Sequence, residues 1–437
     1  MGGRRAVAPG HGRHVPGRNA SDRAVGRCLA SPIRALPAYD VGMTRDRAAP
    51  PLPPLTPPPV RIVVIGGVSM AAAMGIGRFA FTPLLPLMQG AQGLSLADGA
   101  WLASVNYLGY LIGAVLGFVR PPRPGASIRW GVTWVALSTL GMAVSATMPP
   151  WLALRFVAGI ASAFVMIGVA GWALTLLAMT GRGALGGWIF GCVGLSIAVA
   201  GGIAFVAGTN GGDPRPAWAV LGLIAAVVAI TTWRPLMLEP VGHGPGLAAA
   251  PPIDREGWLL IVCYGVAGFG YIVPATFLPA VARALVDDPS VFGWIWPAFG
   301  LAAAIGTISV STLLSHVAPR TVCGAGILVM AVGTFAPVVH MSIAALVVSA
   351  VCVGGTFILV TLSGLNEARR VAQASPTRMV AGMTAAFALG QLAGPLLAHA
   401  GSSAVSAMRL PSIVATIALV ASGLILLSRP ANRKLSV

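Results

Sequence analysis

Between Arg61 and Ser428 the chain is a succession of apolar runs, each long enough to cross a bilayer, separated by short breaks. A helix rises about 1.5 Å per residue, so about 20 residues cross a hydrocarbon core about 30 Å thick. Within that core every backbone N–H and C=O must be satisfied by the chain itself, which favours helices for runs of this length. The pattern predicts spans near 62–88, 98–119, 130–147, 151–178, 184–208 and 217–234. After a polar, Pro- and Gly-rich stretch it predicts six more, near 258–283, 290–315, 322–340, 342–365, 379–401 and 410–428. The expected fold class is an all-α membrane protein of twelve transmembrane helices in two six-helix halves, 61–234 and 258–428. Residues 235–257 form the expected cytoplasmic linker and 429–437 a basic cytoplasmic tail.

Charge supports this reading. Only 9% of the 437 residues are charged and 56% are hydrophobic, whereas soluble domains carry about 25% charged residues. A water-soluble enzyme is excluded. The net charge of +17 raises nucleic acid as a partner, but such a partner requires the basic groups to cluster on one face. They are instead sorted by side. With the N-terminus cytoplasmic, inside segments carry Arg120, Arg123, Arg129, Arg182, Arg234, Arg255, Arg320, Arg369, Arg370, Arg378, Arg429, Arg433 and Lys434. Outside segments carry Arg215, Arg283 and Arg409. This is the bias of the positive-inside rule, and it places both termini inside. Trp101, Trp130, Trp151, Trp218, Trp233 and Trp258 fall near span ends, as an interfacial aromatic belt would. The five cysteines show no metal-ligand or disulfide spacing. No cofactor or metal is expected.

Residues 1–60 differ in kind. They hold nine arginines, three aspartates and a proline run from Pro50 to Pro59. No apolar core follows the early arginines, so a secretory signal is not indicated. The composition predicts a disordered tail, with Met43 the expected true start.

An internal repeat divides the rest. Gly75, Gly77, Leu85 and Pro86 recur as Gly268, Gly270, Leu278 and Pro279, all at an offset of 193 residues. Trp101 and Trp294, and Gly113 and Gly306, keep the same offset. Two related halves with a site between them is a transporter design. The run Gly75-Ile-Gly-Arg78-Phe-Ala-Phe-Thr-Pro83-Leu-Leu-Pro86 also resembles the opening signature of the YbfB/YjiJ-type branch of the major facilitator superfamily. Asn106-Tyr107-Leu-Gly109-Tyr110 and Gly390-Gln391-Leu-Ala-Gly394-Pro395 are similar to later signatures of that branch. The resemblance covers about 61–428 and implies a monomeric secondary transporter of the bacterial inner membrane, working by alternating access. There are departures. The loop after span two, Gly117-Phe-Val-Arg120-Pro-Pro-Arg123-Pro-Gly125, lacks the Asp of the superfamily's Arg–Asp gate. Span five has Gly187, Gly191, Gly194, Gly201 and Gly202 without the Gly-Pro pair of drug/proton antiporters. Arg155 and Gly159 in span four resemble the superfamily's Arg-x-x-x-Gly motif.

Buried polar groups give the candidate site. A charge in hydrocarbon is costly and normally faces a cavity or a partner. Arg78 and Arg155 lie within spans, and no Asp or Glu lies in any span's interior, so the interior carries positive charge lacking a carboxylate. An anionic substrate would supply it, and a guanidinium fork suits a carboxylate. The alternative for Arg78 is bonding to helix carbonyls freed by Pro83 and Pro86. Thr82, Asn106, Tyr107, Tyr110, Tyr271 and Gln391 complete the substrate-binding candidates. Asp98, Glu367 and His399 are the coupling or gating candidates, each near a span end. For Asp98 a capping or first-turn role competes, and for Glu367 a pairing with Arg369 or Arg370. Gly75, Gly77, Pro83, Pro86, Pro274, Pro279 and Pro395 are the hinge candidates. The expected function is transport of a small organic solute, an anion, across the lipid bilayer. A second reading is export of amphiphilic drugs or metabolites. A reading of another class is a non-transporting membrane sensor or scaffold, for which an added signalling domain is expected. No P-loop or nucleophile–base–acid set is present, against ATP hydrolysis or an enzyme.

Overall fold

Between its apolar stretches the chain punctuates helices with proline, serine, aspartate and glycine. The computed structural model describes residues 57–119, 123–237, 253–286, 293–372, 376–398 and 404–428, with Gly2 and Asp288. Nearly all of the N-terminal tail including Met43, residues 238–252 of the linker, His399 and the tail 429–437 lie outside the described residues. The described residues from 57 to 428 form one compact unit.

The helices are α1 (Pro59–Gln92), α2 (Leu96–Val119), α3 (Pro124–Val144), α4 (Met148–Met179), α5 (Gly186–Thr209) and α6 (Arg215–Met237). There follow α7 (Arg255–Leu285), α8 (Ile295–Leu313), α9 (Pro319–Val339), α10 (Ile343–Val371), α11 (Pro376–Ala398) and α12 (Ala404–Ser428). Among the described residues there is no strand. Ten of these helices have the length and apolarity to cross a membrane. The other two, α3 and α11, run 21 and 23 residues.

Ends follow from local chemistry. Proline opens α1, α3, α4 and α9, where its missing N–H costs no helical bond. Gly93 closes α1 at φ +69°, a left-handed conformation that glycine adopts without a Cβ clash. Ser95 and Asp98 then open α2 with reciprocal bonds: Asp98 Oδ2 accepts from Ser95 N at 2.9 Å, and Asp98 N donates to Ser95 Oγ at 3.1 Å. Asp254 caps α7, accepting from Gly257 N at 2.8 Å.

Several expected boundaries move. α3 starts at Pro124, earlier than 130, because Arg129 can lie along a helix end against the Trp233 ring, 5.3 Å away. α10 continues to Val371, past 365, and carries Glu367 into the protein at 0% exposure. Among the tryptophans expected in an interfacial belt, Trp101, Trp130 and Trp258 are exposed, but Trp151 and Trp218 are buried. Trp151 donates to Ser145 O at 3.2 Å and so packs inward.

Pairings repeat after six helices. α2 packs on α4 as α8 packs on α10, and α3 on α6 as α9 on α12. Across the seam, α2 meets α11 and α5 meets α8. α1 and α7 are lined with buried residues and run through the middle of this arrangement. The candidate site lies where they approach α11.

Candidate substrate site

The site begins with a widened helix. Ala71–Phe79 of α1 winds as a π-helix, a departure that often marks functional positions. Widening releases carbonyls from their usual partners, and in an apolar setting each must find another donor. Side chains of neighbouring helices supply them. Ser196 Oγ donates to Ala71 O at 2.9 Å and Ser162 Oγ to Ala73 O at 2.8 Å. Arg155 donates to Gly77 O at 3.0 Å and Arg78 O at 3.2 Å, its guanidinium 4.7 Å from the Phe81 ring centre. Gly75 and Gly77 allow this approach: a Cβ on Gly77 would stand 2.9 Å from Ser162 Oγ. Arg155 is thus a backbone clamp on α1. Asn106 extends the clamp, its Nδ2 donating to Arg155 O at 2.8 Å.

Arg78 is placed differently. It is 4% exposed, and Nη2 donates to Gln391 Oε1 of α11 at 2.6 Å. Its guanidinium carbon lies 3.9 Å from the Tyr110 ring centre and 5.6 Å from that of Tyr107. Nε has no hydrogen-bond partner. The Gln391 amide nitrogen donates in turn to the Tyr271 hydroxyl. Tyr271 stacks between Phe357 and Phe387, with ring centres 5.0 and 5.3 Å away. A second bond crosses the seam where the Tyr107 hydroxyl meets Thr276 Oγ1 at 3.3 Å. Neither Arg78 nor Arg155 is in an ion pair among the described residues.

A cavity of about 40 Å³ lies against Arg78, lined also by Met74, Tyr110, Tyr271, Phe357 and Phe387. Of the expected substrate-binding residues, Arg78, Tyr110 and Tyr271 line it, while Gln391 and Tyr107 adjoin Arg78 from behind. Thr82, Asn106 and Arg155 are buried outside its lining. A larger cavity of about 340 Å³ adjoins the far end of α1, where Pro83, Pro86 and Pro279 meet Phe205, Arg283 and Trp296. There Arg283 donates to Pro86 O, joining α7 to α1. At the other end of the bundle Arg369 of α10 donates to Ala170 O of α4 at 3.0 Å. Ala170 begins a second π segment, Ala170–Leu174.

The remaining candidates are tied up locally. Asp98 is engaged with Ser95 as described. Glu367 accepts from Arg370 twice, at 2.9 Å each. Pro274 and Pro279 lie inside α7 without ending it. Pro395 falls in α11, and its side chain is outside the described residues. Among the described residues no three His, Cys, Asp or Glu are grouped as a metal would need.

Phe357, Phe387, Met74 and Thr276 have no place among the sequence candidates. Arg283 and Arg369 figure there only as sided charges and, for Arg369, as an alternative partner of Glu367, a place that Arg370 takes. The aromatic and thioether side chains look like ordinary apolar helix content. Arg283 had a signal: at the repeat offset it corresponds to Gly90, and a Cβ on Gly90 would stand 3.3 Å from its guanidinium.

No curated protein matches the chain. A crystal structure of a variant of the nucleoside transporter NupG superposes with a TM-score of 0.60 at 13% identity, covering 84% of this chain and 99% of that one. At that identity the likeness shows the fold. The family model described as "Uncharacterised MFS-type transporter YbfB" matches residues 70–427. This is an integral, multi-pass, non-enzymatic membrane transporter family, and the chain belongs to it.

Proposed function

We propose that the protein is a secondary transporter that moves a small organic anion by alternating access between 61–234 and 258–428. In this reading α3 and α11 join the ten apolar helices to make twelve crossings, with both termini cytoplasmic in a bacterial inner membrane. The protein acts as a monomer. The observation that carries the reading is Arg78, a buried guanidinium at the seam whose partners are all neutral. A buried cation without a counter-charge is costly, and an anionic ligand relieves that cost. Arg155 has a different task, since its donors hold the backbone of α1. Reconstitution in proteoliposomes tests this: counterflow of an organic anion is expected in the wild type and lost in Arg78→Ala. Full transport by that variant removes Arg78 from the site.

One observation favours a second reading. The wall around Arg78 is aromatic and thioether in character, which suits an amphiphilic drug or metabolite. Under that reading a cationic amphiphile is exported and Arg78→Ala retains transport.

A further inference from the structure

Resting on the assignment of Arg78 as the anion-binding group, we infer that the substrate is a monocarboxylate with a flat apolar body, an aryl-alkanoate in chemical type. Its carboxylate takes the guanidinium edge now given to Gln391, and its ring lies among Phe79, Phe357 and Phe387.

Single charge follows from the arginines. Among the described residues Arg78 is the one charged side chain lining the central cavity, while Arg155 is consumed by the carbonyls of Gly77 and Arg78. The unpartnered Nε of Arg78, on a side chain 4% exposed, leaves one donor for a carboxylate's second oxygen. A dicarboxylate would bury its other charge against rings. The apolar body follows from the wall. The hydroxyl-bearing residues of the lining are Thr361, Thr384, Tyr110, Tyr264 and Tyr271, and the two threonines donate back to Phe357 O at 2.9 Å and Val380 O at 2.8 Å. The Tyr271 hydroxyl is taken by Gln391. A polyol would lose water without gaining a matched set of partners, a loss that an apolar body avoids. Gln391 then has a definite part. Its amide oxygen stands where the ligand carboxylate goes, so binding hands Arg78 from a neutral acceptor to a charged one. At about 40 Å³ the cavity holds a few waters at most and is too small for an aryl-alkanoate. Ligand entry therefore separates α1 from α11.

Binding to the purified full chain in nanodiscs tests the assignment with four probes: 3-phenylpropionate, 3-phenyl-1-propanol, succinate and uridine. Dissociation constants come from calorimetry and thermal stabilisation. 3-Phenylpropionate is expected to bind at least about tenfold more tightly than each of the others. Arg78→Gln is expected to erase that preference, and Arg78→Lys to retain part of it. Phe357→Leu, which keeps an apolar side chain, is expected to weaken 3-phenylpropionate several-fold while sparing folding, read by monodispersity. Succinate binding as tightly as 3-phenylpropionate, and lost in Arg78→Gln, overturns the substrate class but keeps the anion site. 3-Phenyl-1-propanol or uridine binding as tightly and indifferent to Arg78 overturns both. Absence of binding by all four also counts against both.

Discussion

Arg78 and Tyr271 hold the same place in the two repeats, 193 residues apart, and each bonds one end of the Gln391 amide. One repeat contributes a cation and the other a stacked phenol, so duplication has yielded a site that is symmetric in place and asymmetric in chemistry. Gln391→Glu would bring a carboxylate to Arg78 from within. A charge-assisted bond exceeds a neutral one by about 1 kcal/mol, so the variant is expected to melt about 1–2 °C higher. Organic-anion transport is expected to fall more than about tenfold. Differential scanning of the purified protein and proteoliposome uptake read the two effects. Unchanged uptake would separate the Arg78–Gln391 contact from the substrate path.

Arg155 separates structure from recognition. Removing it leaves the carbonyls of Gly77 and Arg78 without these donors at the end of the π segment. Each buried, unsatisfied polar group costs about 1–3 kcal/mol. Arg155→Ala is therefore expected to lower stability by about 2–5 kcal/mol and reduce the folded yield. Arg155→Lys recovers only part, because a point ammonium does not reproduce a planar fork reaching two carbonyls. Fluorescence-detected size exclusion across a temperature series measures this. A wild-type melting curve for Arg155→Ala would contradict the clamp.

Much of the architecture was legible because span length and polar depth are one-dimensional properties. Arg78, Tyr110, Tyr271 and Gln391 were recognisable as polar groups at similar depth. Their convergence depends on rotation around the bundle, which spacing along one helix does not encode. The task of Arg155 was hidden for another reason: its acceptors are backbone carbonyls released by a π segment, and Ala71–Phe79 has no distinctive side-chain signature. Glu367 reads as a span-end residue in the sequence because the apolar run stops at 365. The helix continues because Arg370, three residues on, neutralises it.

Asp98 has its carboxylate committed to Ser95, at an exposed helix start. Ser95→Ala removes the cap and is expected to cost about 1 kcal/mol. Asp98→Asn keeps an acceptor in place, so the transport rate and its dependence on an imposed pH gradient are expected to stay at the wild-type level. Loss of gradient dependence in Asp98→Asn would instead assign Asp98 to coupling.

Two glycines of α5 provide a sharp contrast. A Cβ on Gly194 would stand 2.7 Å from Gly300 O and closer still to Ala304 N, so α5 and α8 touch backbone to backbone across the seam. Nothing lies within 4 Å of a Cβ on Gly202. Gly194→Ala is expected to push the halves apart and destabilise by about 1–3 kcal/mol, as overpacking does. Gly202→Ala gains helix propensity of up to about 1 kcal/mol. Equal melting temperatures for the two variants would rule out the close approach.

The bond from Arg369 to Ala170 O ties the two repeats together at the end of the bundle opposite Arg283. The loop at 117–125 lacks the Asp of the superfamily's Arg–Asp gate, and the Arg369 bond is expected to take over that holding role without an acidic partner, using a carbonyl that begins a π segment. A hydrogen bond to a charged group contributes about 1.5–3 kcal/mol. Losing part of it shifts a two-state equilibrium several-fold. Arg369→Ala is expected to raise the labelling rate of Thr361→Cys in the central cavity about three- to tenfold when the thiol reagent is added from the Arg369 side. The native cysteines are replaced in that background. Arg369→Gln keeps a donor and is expected to fall between. Labelling unchanged in both variants would show that the Arg369 contact does not hold the two halves together at that end.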